Sequence, residues 1–100
     1  MNHNTSDEKQ INQAKIKQRN AIEVKRADLK YIMGSDQGRR FIYDLLEETH
    51  TFQTSFTGNS STFFKEGERN IGLKLMARIH EDCLDEYVVM LKEAKKRNEP

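Results

Sequence analysis

Two glycines inside one long helical pattern constrain this chain more than any other feature. From Thr62 to Cys83 the residues read TFFKEGERNIGLKLMARIHEDC, with apolar or small positions at Phe64, Gly67, Ile71, Leu75 and Ile79. That spacing draws one stripe along a helix of about six turns, which must pack against neighbouring elements. A hydroxyl at Ser61 or Thr62 is suited to cap the first turn, and Glu66 favours the positive end of the helix dipole. Gly67 and Gly72 each cost about 1 kcal/mol against alanine in a helix interior, so the pair predicts close backbone approach by another helix or a ligand.

A chain of 100 residues, 35% hydrophobic and 33% charged, has material for one small domain with a modest core. Seventeen lysines and arginines against 16 acids leave a formal charge of +1, which gives no global argument for nucleic acid, membrane or acidic substrate. The single cysteine, Cys83, excludes an intramolecular disulfide framework and a cysteine-based zinc site. No apolar run approaches the length of a membrane span, and MNHNTSDEKQ lacks the apolar core of a signal peptide, so a cytosolic protein is expected.

Taken in order, residues 1–10 hold no apolar side chain after Met1 and read as a loose polar tail. Helix formers without glycine or proline continue from Ile11 to Met33, but regular apolar positions begin only with Ile22, Leu29, Ile32 and Met33, so the first half is expected to project into solvent. Lys9, Lys15, Lys17, Arg19, Lys25, Arg26 and Lys30 face only Glu23 and Asp28, a local net of +5 that suits phosphates or an acidic partner. A solvated charged face is the commoner explanation of such a run. Gly34-Ser35-Asp36 then breaks the helix, with glycine as a C-cap and Ser35 or Asp36 as the next N-cap. In GRRFIYDLLEETH a buried stripe is predicted at Phe41, Ile42, Leu45 and Leu46, with Tyr43 and Asp44 pointing elsewhere. Arg39 and Arg40 oppose the dipole in that first turn, so they are expected to pair with carboxylates such as Glu66 or Glu68 or to meet a partner.

The connection HTFQTSFTGNSS carries Phe52 and Phe56, too apolar to leave in water, and a turn at residues 57–60; it is expected to be an ordered loop folded onto the helices. The last segment, LDEYVVMLKEAKKRN, predicts a helix burying Leu84, Tyr87, Val88, Leu91 and Ala94, which leaves Val89 and Met90 as candidates for contact with another chain.

Catalytic chemistry finds little support. No phosphate-cradling loop, dinucleotide fingerprint or nucleophile elbow occurs. His80 and Cys83 lie one turn apart and His50 could join them on a metal, but zinc needs further ligands that no spacing arranges, so neither metal nor cofactor is expected. The carboxylates sit where helix capping and solubility already place them.

The segments DLKYIMGSDQGRRFIYDLLEET and TSFTGNSSTFFKEGERNIGLKLM, with the closing helix, resemble a family of small proteins of tailed bacteriophages, best known from short-tailed phages such as that of Bordetella. The likeness spans roughly Arg26 to Lys95 and rests on Gly38-Arg39-Arg40, on Thr54-Ser55-Phe56, and on Phe64-Lys65-Glu66-Gly67 with Arg69, Asn70, Gly72 and Leu73. Glu68 stands where the family often has a basic residue. The resemblance implies a small all-helical phage domain, usually encoded among head and packaging genes, without established enzymatic activity.

The expectation is therefore an all-α protein: a small bundle of three principal helices plus an N-terminal helix, with an ordered aromatic loop between the second and third. Residues 1–20 would form a partly disordered basic extension and 21–97 a single helical domain. Its expected role is that of a non-catalytic phage virion or assembly protein, in the virion or the host cytoplasm, meeting head or portal-region proteins or further copies of itself through Arg39, Arg40, Phe52, Phe56, Val89 and Met90. The alternative is a nucleic-acid-associated or host-directed phage protein using Lys15, Lys17, Arg19, Lys25 and Arg26.

Overall fold

The structure, a computed structural model, describes residues 5–53 and 61–100. The described residues form four helices and no strand: α1 Thr5–Met33, α2 Asp36–Glu48, α3 Ser61–Asp82 and α4 Leu84–Arg97. The protein is all-α. Helix α1 begins at Thr5, so residues 5–10 are helical where the polar composition predicted a loose tail. Asp7 and Glu8 in the first turn favour the amide end of the dipole, a local stabilisation that composition alone does not register. Every residue from 5 to 25 is exposed, as expected of a projecting first half. Accordingly the radius of gyration is 19.5 Å and the longest extent 71 Å, against about 13 Å for the radius of a compact chain of this length.

Leu29 and Met33, in the last turns of α1, enter the core with Ile42 and Leu46 of α2, Ile79 of α3, Cys83, and Met90 of α4. Tyr43, Leu75, Met76 and Tyr87 pack half-buried around it. Burying each large apolar side chain contributes about 1.5–3 kcal/mol, so this short set holds the helices together. Ser35 is the N-cap of α2: its backbone is extended and its Oγ accepts from the Gly38 amide at 3.0 Å. The next corner is tighter still, because a Cβ on Gly38 would run into the backbone carbonyl of Ile32. Only glycine lets the end of α1 and the start of α2 meet at that distance.

Helix α2 ends in a Schellman arrangement. The His50 amide donates to the Glu47 carbonyl and the Thr51 amide to the Leu46 carbonyl, both at 3.0 Å. His50 takes the left-handed position, with φ of 58°, where glycine is the usual residue. Buried Thr51 then shares a 2.7 Å hydrogen bond between hydroxyls with Thr49, and this pair of hydroxyls lies directly against Gly72 of α3. Gly72 thus has the close approach its sequence position predicts. Gly67 does not: a Cβ there would meet nothing within 4 Å.

The buried face of α3 differs from the expected stripe. Phe64 is 72% and Ile71 67% exposed, and Gly67 is exposed too, whereas Gly72 and Ile79 are buried and Leu75 and Met76 half-buried. The buried line passes about one residue, or ~100°, further round the helix. The reason is the crossing beside Thr49 and Thr51, which admits the hydrogen of Gly72 and leaves no room to centre the isoleucine next to it. A similar rotation affects α4. Its buried line holds Cys83, Tyr87, Met90 and Ala94, while Leu84, Val88 and Leu91 stay exposed. Met90, expected on the surface, is fully buried because α4 packs chiefly on α2 along that line. In α2, Ile42 and Leu46 are buried as expected, but Phe41 and Leu45 are exposed and Tyr43 turns inward.

Gly72→Leu should therefore destabilise the fold by about 1–3 kcal/mol or more through overpacking, while Gly67→Ala should stabilise it by about 0.5–1 kcal/mol through propensity. Denaturant unfolding of the two variants checks this, and equal responses would contradict the crossing. His50→Gly should raise stability by about 0.5–1 kcal/mol by relieving the left-handed position; a loss in the same measurement would mean the imidazole contributes more than the strain costs.

Candidate interaction site

The two arginines that local helix physics leaves unexplained have different fates. Arg39 Nε donates to Glu93 Oε1 at 2.6 Å, and its Nη2 donates to Oε2 at 3.3 Å, which joins the first turn of α2 to α4. Its Nη1 donates to the Met33 carbonyl at 2.9 Å, so the same guanidinium satisfies an acceptor at the end of α1. The expected carboxylate partner was Glu66 or Glu68; Glu93 takes that place because α2 lies along α4. The hydrogen bond from Arg39 holds the Glu93 carboxyl below its ordinary range and the Arg39 guanidinium above its own. Two local anomalies explain each other: a cation at the start of α2 and a carboxylate in the second half of α4 each oppose their own helix dipole. That complementarity is the signal in the sequence that would have found Glu93.

The Arg40 side chain is exposed and makes no hydrogen bond or ion pair with another described residue. It lines a shallow groove of about 440 Å3 with Asp36, Glu93, Lys96 and Arg97. Glu93 is held there by Arg39, and Asp36 accepts from the Gln37 amide at 3.0 Å. The Arg97 guanidinium carbon lies 5.9 Å from the centre of the Tyr43 ring, whose other neighbour is the ring of Phe52, stacked at 5.7 Å. Cation, tyrosine and phenylalanine thus run from the end of α4 to the loop after α2. Hydrogen bonding to Glu47, then burial, raises the Tyr43 phenol above its usual range. The expected contact residues Phe52 and Val89 are exposed, Met90 is in the core, and Phe56, with Thr54, Ser55 and the turn at 57–60, lies outside the described residues.

The basic residues of α1 also separate. Lys15, Lys17, Arg19 and Lys25 are exposed, and Lys15 and Arg19 line a hollow with Asn12 and Ile16. Arg26 instead turns to the bundle, 3.3 Å from Glu23, 3.6 Å from Glu81 and 3.4 Å from Asp82. It bridges α1 to the end of α3 and is not a free cation for phosphate. His80 packs edge-on against Tyr87 with ring centres 4.4 Å apart, and Cys83 is buried, its thiol pushed up chiefly by desolvation. Among the described residues no three His, Cys, Asp or Glu side chains stand together as metal ligands, and no helix is long and apolar enough to cross a membrane.

Glu93→Gln should cost about 1–2 kcal/mol at neutral pH by weakening a charge-assisted fork. Because the folded carboxyl is held below its unfolded value of about 4.3, that stabilisation is present above the unfolded value and lost as pH falls through the folded one. Unfolding free energies from pH 7 down to pH 2 should converge for the two proteins at the acid end; parallel curves would overturn this assignment.

Neither the curated proteins nor the solved structures contain a significant match to this chain. The family model described as Bbp19-like phage protein matches residues 29–92, from the first buried residue of α1 into the second half of α4. Those helices carry the core and the Arg39 fork, and most of the exposed part of α1 lies before the match. With well over half its length matched, the chain belongs to the Bbp19-like family of phage proteins.

Proposed function

We propose that this phage protein is a non-catalytic component of the virion or of its assembly, working through contacts with other phage proteins. The observation that carries this reading is the balance of apolar surface: among the described residues more large apolar side chains are exposed than buried. Phe63 is 83% exposed, Phe64 72% and Ile71 67%, off the buried line of α3. Leu84, Val88 and Leu91 form a second exposed row on α4. So much exposed large apolar surface on a small domain favours contact with other proteins. The buried Cys83 thiol and the edge contact of the exposed His80 ring with Tyr87 fit a structural rather than a catalytic role for this pair. Head or portal-region proteins are the partners proposed for this bundle of α2, α3 and α4, to which α1 is added.

A second reading draws on α1. Its exposed Lys15, Lys17, Arg19 and Lys25 would let a nucleic-acid-associated or host-directed protein hold phosphates through a projecting helix. Phosphate binding weakens steeply with salt, whereas apolar assembly persists.

Quantitative mass spectrometry of purified virions of the encoding phage, with unassembled lysate as the control, tests the main reading. A fixed copy number per particle, or a fixed ratio to capsid precursors in assembly intermediates, is the expected result. Absence from both, with abundance free in lysate, would overturn it in favour of the host-directed alternative.

A further inference from the structure

The groove between the start of α2 and the end of α4 is a second kind of surface, charged where the outer faces of α3 and α4 are apolar. We propose that it binds an acidic segment of a partner protein, with the carboxylates held by Arg40, Lys96 and Arg97. This rests on the reading of the chain as a protein-contact subunit and names the chemistry of one contact.

Three observations converge on it. First, the two carboxylates in the walls are already engaged, Glu93 by the Arg39 fork and Asp36 by the Gln37 amide, whereas Arg40 has no partner among the described residues. Arg40 is the fifth residue of α2, near the helix's positive end, so the dipole gives no local reason for it. Second, Lys96 and Arg97 approach from α4, and Arg97 stands over the Tyr43 ring. Three basic residues, Arg40, Lys96 and Arg97, therefore line one concave site of about 440 Å3. Third, the nearest amides of α2 are already partly used, with Ser35 accepting from Gly38, so the cations rather than the helix terminus would hold the ligand. Asp36 and Glu93 remain in the walls and keep the positive charge confined to this short groove, which suits a short acidic peptide segment rather than a long phosphate backbone.

The test uses the full chain and fluorescein-labelled hexaglutamate, read by fluorescence anisotropy, beside a labelled single-stranded oligothymidylate of equal charge. Two variants make the same change in net charge: Arg40→Glu with Lys96→Glu in the groove, and Lys15→Glu with Lys17→Glu on α1. All four side chains are exposed, and circular dichroism verifies that each variant is helical; Arg40→Gln with Lys96→Gln is the milder groove variant. Expected is hexaglutamate binding weakened about tenfold or more by the groove pair and nearly unchanged by the α1 pair. No binding by the native chain, equal losses in both variants, or a groove that governs oligothymidylate instead would each overturn the proposal. Virion composition plays no part in these measurements, so the groove can fail while the contact-subunit reading stands.

Discussion

Arg39 joins three helices through one planar group. Its fork on Glu93 ties α2 to α4, and its Nη1 reaches the last carbonyl of α1 at Met33. The side chain is largely shielded from water, so the pair is worth more than an exposed ion pair, and its loss would leave a partly buried carboxylate without its partner. Met33 is itself at the centre of the core, packed with Leu46, Ile79 and Met90. The polar clamp and the apolar core therefore depend on one another: the core brings α1 and α4 beside α2, and the fork sets how they are aligned along it.

Close backbone contacts do the remaining positioning. Gly38 lets α2 begin directly against the Ile32 carbonyl, and Gly72 lets α3 cross beside the Thr49 and Thr51 hydroxyls at the other end of α2. Between these contacts α2 is located at both ends, which is why a small core suffices. The left-handed His50 is the local strain that lets the chain turn back after α2 and present Thr51 to α3.

The consequence for function is a division of surfaces. Packing consumes one line of each helix and leaves apolar rows on the outer sides of α3 and α4, a charged groove between α2 and α4, and a long exposed α1. The family match covers the packed helices and stops short of most of the projecting part of α1. The matched range contains most of the residues that hold the bundle, and the exposed basic residues Lys15, Lys17, Arg19 and Lys25 lie before it.

Most of the helix content, the Gly34-Ser35-Asp36 break with a cap at Ser35 or Asp36, and the exposed first half of α1 were legible in the residues, because each depends on contacts within a few positions or on steric limits intrinsic to one residue type, whereas the tertiary crossing alone singled out Gly72 over Gly67. The family resemblance was legible for the same reason, in short motifs. Helix rotation was not. Apolar residues cover so wide an arc of α4 that Leu84, Val88 and Leu91 fit a helical stripe as well as Cys83, Met90 and Ala94 do, and only the line along α2 chose between them. Tertiary structure likewise decided that Glu93 rather than Glu66 or Glu68 meets Arg39, that Arg26 joins α3, and that Phe64 and Ile71 stay in water. Local periodicity fixes which residues share a face, but which face is buried depends on where the backbones can approach, and that is settled between helices rather than within one.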